Sequence, residues 1–236
     1  MNSWLKTPLL NNKTAILIFA NSGQQEAFAK QFKSSQLLFD ELNCQTLKKV
    51  KATGLPYFHI SENEQIGATF AERFTNAIQS IYDKGFDSVI SIGNDTPHLK
   101  SGQIIQAAKE LKNHDIVLGP SLDGGFYLMG LKKSHFSAET FLKLPWQTSR
   151  LSHSFYRLIE ANNTRVFKLE ALSDIDTVSD IKFILGSKKY IASCLKIALL
   201  EVILEANQID YSFQFHFTTS FQNSYFNKGS PHFIYA

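Results

Sequence analysis

Asp87-Ser88-Val89-Ile90-Ser91-Ile92-Gly93-Asn94-Asp95-Thr96-Pro97 is the stretch that decides how this chain folds. The first six residues, β-branched at Val89, Ile90 and Ile92, have the length and composition of a buried strand. Gly93 lets the backbone turn without a Cβ penalty and Pro97 stiffens the turn. Ser101-Gly102 then precedes Ile104, Ile105, Ala108 and Leu111 at helical spacing, so the order is strand, acidic loop, helix. His114 to Leu118 repeats the strand pattern, Gly119-Pro120-Ser121-Leu122-Asp123-Gly124-Gly125 follows as a second loop, and residues 126–131 read as another strand. Each loop sets a carboxylate, Asp95 or Asp123, just beyond a strand, where open α/β sheets gather their ligands.

Working outward, residues 14–20 form an apolar run without alternation, as in a strand buried on both faces. Helices are expected over residues 24–32 and 36–49, a short strand over 57–60, and a long amphipathic helix over 66–84 ended by Gly85. Beyond the second loop, residues 138–144 and 149–162 read as helices and 165–169 as a strand. Asp176-Thr177-Val178-Ser179-Asp180 opens a further helix to Leu185, and Thr177 with Asp180 makes a capping pattern. This alternation predicts an α/β fold with three α/β/α layers and a mainly parallel central sheet. Gly186 marks a boundary between a domain over residues 1–186 and an extension over 187–236. In the extension, residues 188–206 are helical in pattern, while Tyr211, Phe213, Phe215 and Phe217 alternate as in a strand. So much apolar surface is expected to pack on the core or on a second subunit, as in a homodimer.

Composition narrows the partners. The net charge of +3 over 236 residues carries no sustained basic run, which argues against nucleic acid and against a membrane surface. A nucleotide-sized anion fits better. Cys44 and Cys194 lie far apart without metal-ligand spacing, so neither a zinc site nor a disulfide scaffold is expected. The apolar run over residues 15–20 is far shorter than the ~20 residues of a membrane span and lacks a cleavage pattern, which points to the cytosol.

Four motifs in order, Gly93-Asn94-Asp95-Thr96-Pro97, Gly119 to Leu131, Pro145-Trp146-Gln147-Thr148 and Asp174-Ile175-Asp176-Thr177, resemble a bacterial family of glycosyltransferase-like proteins. That family carries the labels radical-SAM/selenodomain-associated and arsenosugar-biosynthesis-type transferase, and the resemblance covers roughly residues 14–186. It is similar in fold to the GT-A nucleotide-diphospho-sugar transferases, which include nucleotidylyl- as well as glycosyltransferases. The resemblance implies an enzyme with a nucleotide-sugar donor, a small acceptor and a divalent cation, Mg²⁺ or Mn²⁺. Nucleotidylyl transfer with loss of pyrophosphate is the alternative, and a degenerate nucleotide- or protein-binding member is a third reading.

The resemblance assigns Asp95 and Asp176 as metal ligands, with Asp174 next, in keeping with the carboxylate and phosphate oxygens that Mg²⁺ prefers. The plain structural readings are a turn residue for Asp95 and a helix cap for Asp176. Asp123 is the candidate to orient or deprotonate an acceptor hydroxyl, and Gly124 and Gly125 let a substrate approach the backbone closely. Asn94 accompanies Asp95 in the binding loop. Arg73, in a segment similar to the family's Gly-x-x-x-x-Glu-Arg, offers a planar fork to phosphate. The first loop departs from the family's Lys- and Arg-rich pattern. It reads Phe19-Ala20-Asn21-Ser22-Gly23, leaving backbone N–H groups of Asn21, Ser22 and Gly23 at a helix start and Lys30 as the nearest cation.

Overall fold

The computed structural model describes residues 13–30, 32 and 34–222, and for residues 208–222 the backbone alone. Six strands form one sheet: β1(Thr14–Phe19), β2(Tyr57–Ile60), β3(Ser88–Ile92), β4(Ile116–Pro120), β5(Phe126–Lys132) and β6(Val166–Lys168). Their order is β2-β1-β3-β5-β4-β6. β1 pairs in parallel with β2 and β3, and β4 with β6, whereas β5 runs antiparallel to both of its neighbours. The β4–β5 connection is too short for the crossover of a dozen or more residues that parallel strands need, so it closes as a hairpin.

Helices cover both faces. α3(Phe70–Asp83), α5(Ala138–Leu142) and α6(Leu151–Ala161) pack on one, through Phe74, Ile78, Ile81, Phe141 and Phe155. On the other lie α2(Ser35–Lys51) and α4(Ser101–Glu110), through Val50, Ile104 and Ala107. All five residues of β3 are buried, as a strand sandwiched between helical layers requires. Asp115, at the foot of β4, accepts hydrogen bonds from Arg165 Nε at 3.1 Å and Arg165 Nη2 at 2.9 Å, with Lys132 Nζ at 3.4 Å.

Two expectations are corrected. α3 begins at Phe70, not at residue 66, because Thr69 and Glu72 form a capping box and Gly67 sits at φ +138°, outside helical geometry. The aromatic alternation at Tyr211, Phe213, Phe215 and Phe217 is not a strand: the backbone there belongs to α8(Ser193–Gln222). A nucleated helix gains one hydrogen bond for each residue added, and Ser193 to Gln222 contains neither Gly nor Pro to stop it. The near half of α8 buries Leu195, Leu199 and Val202 against Leu38, Phe39 and Leu42 of α2 and Ile181 and Ile184 of α7(Val178–Gly186). Among the described residues, no helix is long and apolar enough to cross a membrane.

Candidate active site

The sheet's strand directions decide which loops meet. The segments after β1, β3, β4 and β6 leave the same edge, and β5 starts from it. A bridge between Ser121 and Leu172 and a hydrogen bond from Ile175 N to Asp95 O, 3.0 Å, pull the segment after β6 across the β3 and β4 loops. The result is a cleft of about 410 Å³ lined, among others, by Asn21, Glu26, Lys30, Arg73, Asp95, Asp174 and Asp176.

Beside its polar end one carboxylate oxygen from each of Asp123, Asp174 and Asp176 lies within 4.8 Å of the others; Asp174 and Asp176 line the cleft, and Asp123 is not part of the lining. Asp174 is pushed up to about 6, first by burial and then by the neighbouring charges of Asp95 and Asp123. Such crowding of hard oxygen donors, with one carboxyl driven toward its neutral form, is a donor set that fits a small divalent cation. Asp123 is exposed and its Oδ1 accepts from Gly125 N at 2.9 Å, which fixes the turn.

Lys30, next to α1(Gly23–Ala29), reaches across this end. Its ammonium lies 3.3 Å from Asp95 Oδ2 and 3.0 Å from Asp176 Oδ1, and it also donates to the carbonyl of Ile175. Burial works against the charge on Lys30, yet Asp95 and Asp176 outweigh it and the pKa stands above lysine's ordinary value. Asp95 and Asp176 therefore share a cleft and a cation, while Asp95 is not among the three carboxylates that converge.

The remaining candidates separate. Asn21 and Arg73 line the cleft, as do Asn94 and Gly125. Asn94 is buried, and its amide donates to Asn43 Oδ1 at 2.9 Å, whose own amide holds Asn21 O at 3.0 Å. Ser22 and Gly23 are turned to other tasks. Ser22 donates its N–H and hydroxyl to Glu62, at 2.7 and 2.5 Å, so a carboxylate of the chain already takes one of the three helix-start N–H groups expected for phosphate. Burial opposes it, but the Ser22 bonds keep the Glu62 carboxyl below its ordinary range. Gly23 lies against α2, where a Cβ would come within 2.6 Å of Gln36 O. Gly124, at φ +97°, carries no lining surface; its carbonyl accepts from Ser152 N at 3.2 Å and its Cα faces Ser149.

Sequence reasoning missed Glu26 and Gln65. Glu26 sits one turn before Lys30 inside the cleft, its pKa raised by burial and only partly offset by Lys30. Its helical spacing from Lys30 is visible in the sequence, but its inward direction is not.

The architecture is that of known solved structures. A Desulfovibrio desulfuricans G20 protein assigned as a nucleotide-diphospho-sugar transferase superposes with a TM-score of 0.70 at 21% identity, over 80% of this chain and 94% of that one. More distant likenesses include the Anaerococcus prevotii 4-diphosphocytidyl-2C-methyl-D-erythritol synthase, with a TM-score of 0.48, 12% identity and cover of 73% and 97%. A Mycobacterium tuberculosis H37Rv protein crystallised with manganese gives 0.44, 12%, 74% and 98%. No curated protein matches the chain. Residues 18–148, which run from the end of β1 to the Pro145–Thr148 turn, match the model of the family described as "Uncharacterized protein conserved in bacteria (DUF2064)", and the chain belongs to that family.

Proposed function

We propose that the cleft is the active site of a cytosolic, metal-assisted transferase that moves a glycosyl group from a nucleotide sugar to a small acceptor. The observation that carries this reading is the convergence of Asp123, Asp174 and Asp176 beside Lys30 at the sheet's carboxyl edge. Asp123, Asp174 and Asp176 would hold Mg²⁺ or Mn²⁺, which when bound supplies positive charge to a departing diphosphate. Lys30 and Arg73 meet the phosphates, Lys30 from within the cleft and Arg73 from its aromatic side. Asn94 fixes the loop behind them, and Gly125 allows close approach of the acceptor. Asp123 is read here as a ligand, in place of the base suggested by its loop alone, because its oxygen lies with those of Asp174 and Asp176. The narrower kinship with selenodomain-associated and arsenosugar-type transferases rests on the four sequence motifs.

Nucleotidylyl transfer is the less favoured chemistry. Lys30 is already engaged by two carboxylates, which leaves little cationic compensation for a triphosphate. Incubation with nucleotide sugars and with nucleoside triphosphates, each with Mg²⁺ or Mn²⁺ and a pool of small hydroxylated acceptors, separates the two. Metal-dependent release of nucleoside diphosphate supports glycosyl transfer. Release of pyrophosphate overturns it in favour of the alternative, and absence of both leaves a binding protein.

A further inference from the structure

The cleft has a second, chemically different end. Phe19, at the close of β1, Phe70 and Phe74, in the first turns of α3, and Trp146 line it together with Leu151. Ring centroids are 5.0 Å apart for Phe74 and Trp146, 5.2 Å for Phe19 and Phe74, and 5.8 Å for Phe70 and Trp146. These separations suit edge-to-face and tilted aromatic contacts. Phe19, Phe70 and Trp146 remain partly exposed, and the surface they leave uncovered is the wall of the cleft. Trp146 donates its indole N–H to Phe141 O at 2.6 Å, inside the fold. What it offers the cleft is therefore ring carbon. Gln147, beside it, stands exposed at φ +57°, in the left-handed region.

A polar edge joins the two ends. Arg73 Nε donates to Gln65 Oε1 at 3.1 Å, Gln65 Nε2 to Asn21 Oδ1 at 3.2 Å, and Asn21 Nδ2 to Glu26 Oε1 at 2.9 Å. This chain runs from the aromatic wall to the neighbourhood of Lys30. One ligand long enough to span it would meet carbon surface at one end and charge at the other.

We propose that the aromatic end is a ring-binding subsite whose specificity is set by Trp146 and Phe70. It takes the planar ring of a nucleotide whose phosphates lie at the Lys30 end, or of an acceptor seated beside that nucleotide, and so rests on the nucleotide reading above. The same surface would accept a donor's nucleobase or the ring of an aromatic acceptor.

Trp4 and Trp146 are the chain's two tryptophans, so Trp4→Phe in the full-length protein leaves Trp146 as the sole indole reporter. Its emission is followed, with Mg²⁺ present, during titration with uridine, cytidine and guanosine diphosphates, with phenyl β-glucoside, and with inorganic pyrophosphate. Saturable quenching by a ring-bearing ligand and none by pyrophosphate is expected. Quenching by a nucleoside diphosphate identifies the nucleobase as the ring, and quenching by phenyl glucoside alone identifies the acceptor. Calorimetry on Trp146→Leu and Phe70→Leu should show at least a tenfold loss of affinity for that ligand with pyrophosphate binding unchanged, and Trp146→Phe should restore most of it. Equal quenching by pyrophosphate, or unchanged affinity in both leucine variants, overturns the subsite. Pyrophosphate binding without any ring-dependent gain removes the subsite alone, whereas failure of every phosphate ligand to bind removes the nucleotide reading with it.

Discussion

Lys30 and Asp176 meet at 3.0 Å, joining the segment after β1 to the segment ahead of α7 inside the cleft. The ammonium is largely buried, whereas half of the Asp176 side chain is exposed to solvent. Lys30→Met should thus cost less than a fully buried pair, roughly 1–2 kcal/mol after screening. It leaves Asp95, Asp176 and Glu26 uncompensated, so Mn²⁺ should raise the Tm of the variant more than that of the parent. Equal metal-induced shifts, measured by scanning fluorimetry, would show that Lys30 and the cation act on separate groups.

Asp174 sets the pH dependence of the polar end. Its folded pKa of about 6 lies above the ordinary carboxyl value, so the native state binds more protons than the unfolded chain between about pH 4 and 6. Without metal, stability from this group falls as pH rises through that window. Asp174→Asn should flatten that part of the profile and raise Tm at pH 7. A cation must displace the same proton, so Mn²⁺ affinity in the parent should weaken as pH drops through 6. Calorimetric titrations at pH 5, 6 and 7 check this; affinity independent of pH would remove Asp174 from the ligand set.

Asp123 and Asp95 are distinguished by what their loss does to metal binding. Asp123→Asn should lower Mn²⁺ affinity at least tenfold, since one of three converging carboxylates becomes neutral. Asp95→Asn should act mainly through Lys30, lowering nucleotide affinity more than that for the bare ion. The opposite order in calorimetry would return Asp95 to the ligand role and Asp123 to that of acceptor base.

Far from the cleft, Asp115 holds the foot of the sheet. Hydrogen bonds from Arg165, backed by Lys132, hold its carboxyl well below the usual range despite burial. A depressed folded pKa gives stability that is present above pH 4 and lost as pH falls. Asp115→Ala should cost about 2–3 kcal/mol at pH 7, less than a fully buried pair because Arg165 is largely exposed. In urea denaturation the gap between variant and parent should narrow toward pH 3; a constant gap would mean that packing, not charge, makes the contribution.

What the sequence reveals tracks how local each signal is. β2, set off by the Gly54-Leu55-Pro56 break, is legible to the residue, and β3 nearly so, because an aromatic or β-branched run bounded by turn residues needs no partner to be recognised. The Thr69–Glu72 box was equally local and would have set the start of α3. The antiparallel β5 follows from the short second loop combined with strand pairing, a step beyond periodicity. Convergence of Asp123 with Asp174 depends on the hairpin and on the Ser121–Leu172 bridge, which no residue pattern announces. Ser22 looked free to hold phosphate because Glu62, its partner, comes from the far side of β2.

The division at Gly186 predicts how the extension behaves. Leu199 is fully buried among Leu38, Phe39 and Leu42 of α2 and the inner face of α7, so α8 acts there as part of the core's outer layer. Leu199→Ala should cost 2–5 kcal/mol, the usual range for a buried leucine whose site cannot collapse completely. The outer side of the same helix leaves Ile197, Leu200 and Leu204 exposed, and Leu200→Glu, on that side, should leave stability nearly unchanged in a monomer. A chain ending at Gly186 uncovers the α2 and α7 contacts and should lose solubility or several degrees of Tm. Sedimentation of the intact protein with and without Leu200→Glu then separates docking on the core from assembly: a dimer that dissociates in the variant places the outer face in a subunit contact. A truncated chain as soluble and heat-stable as the parent would overturn the claim that the extension stabilises the fold.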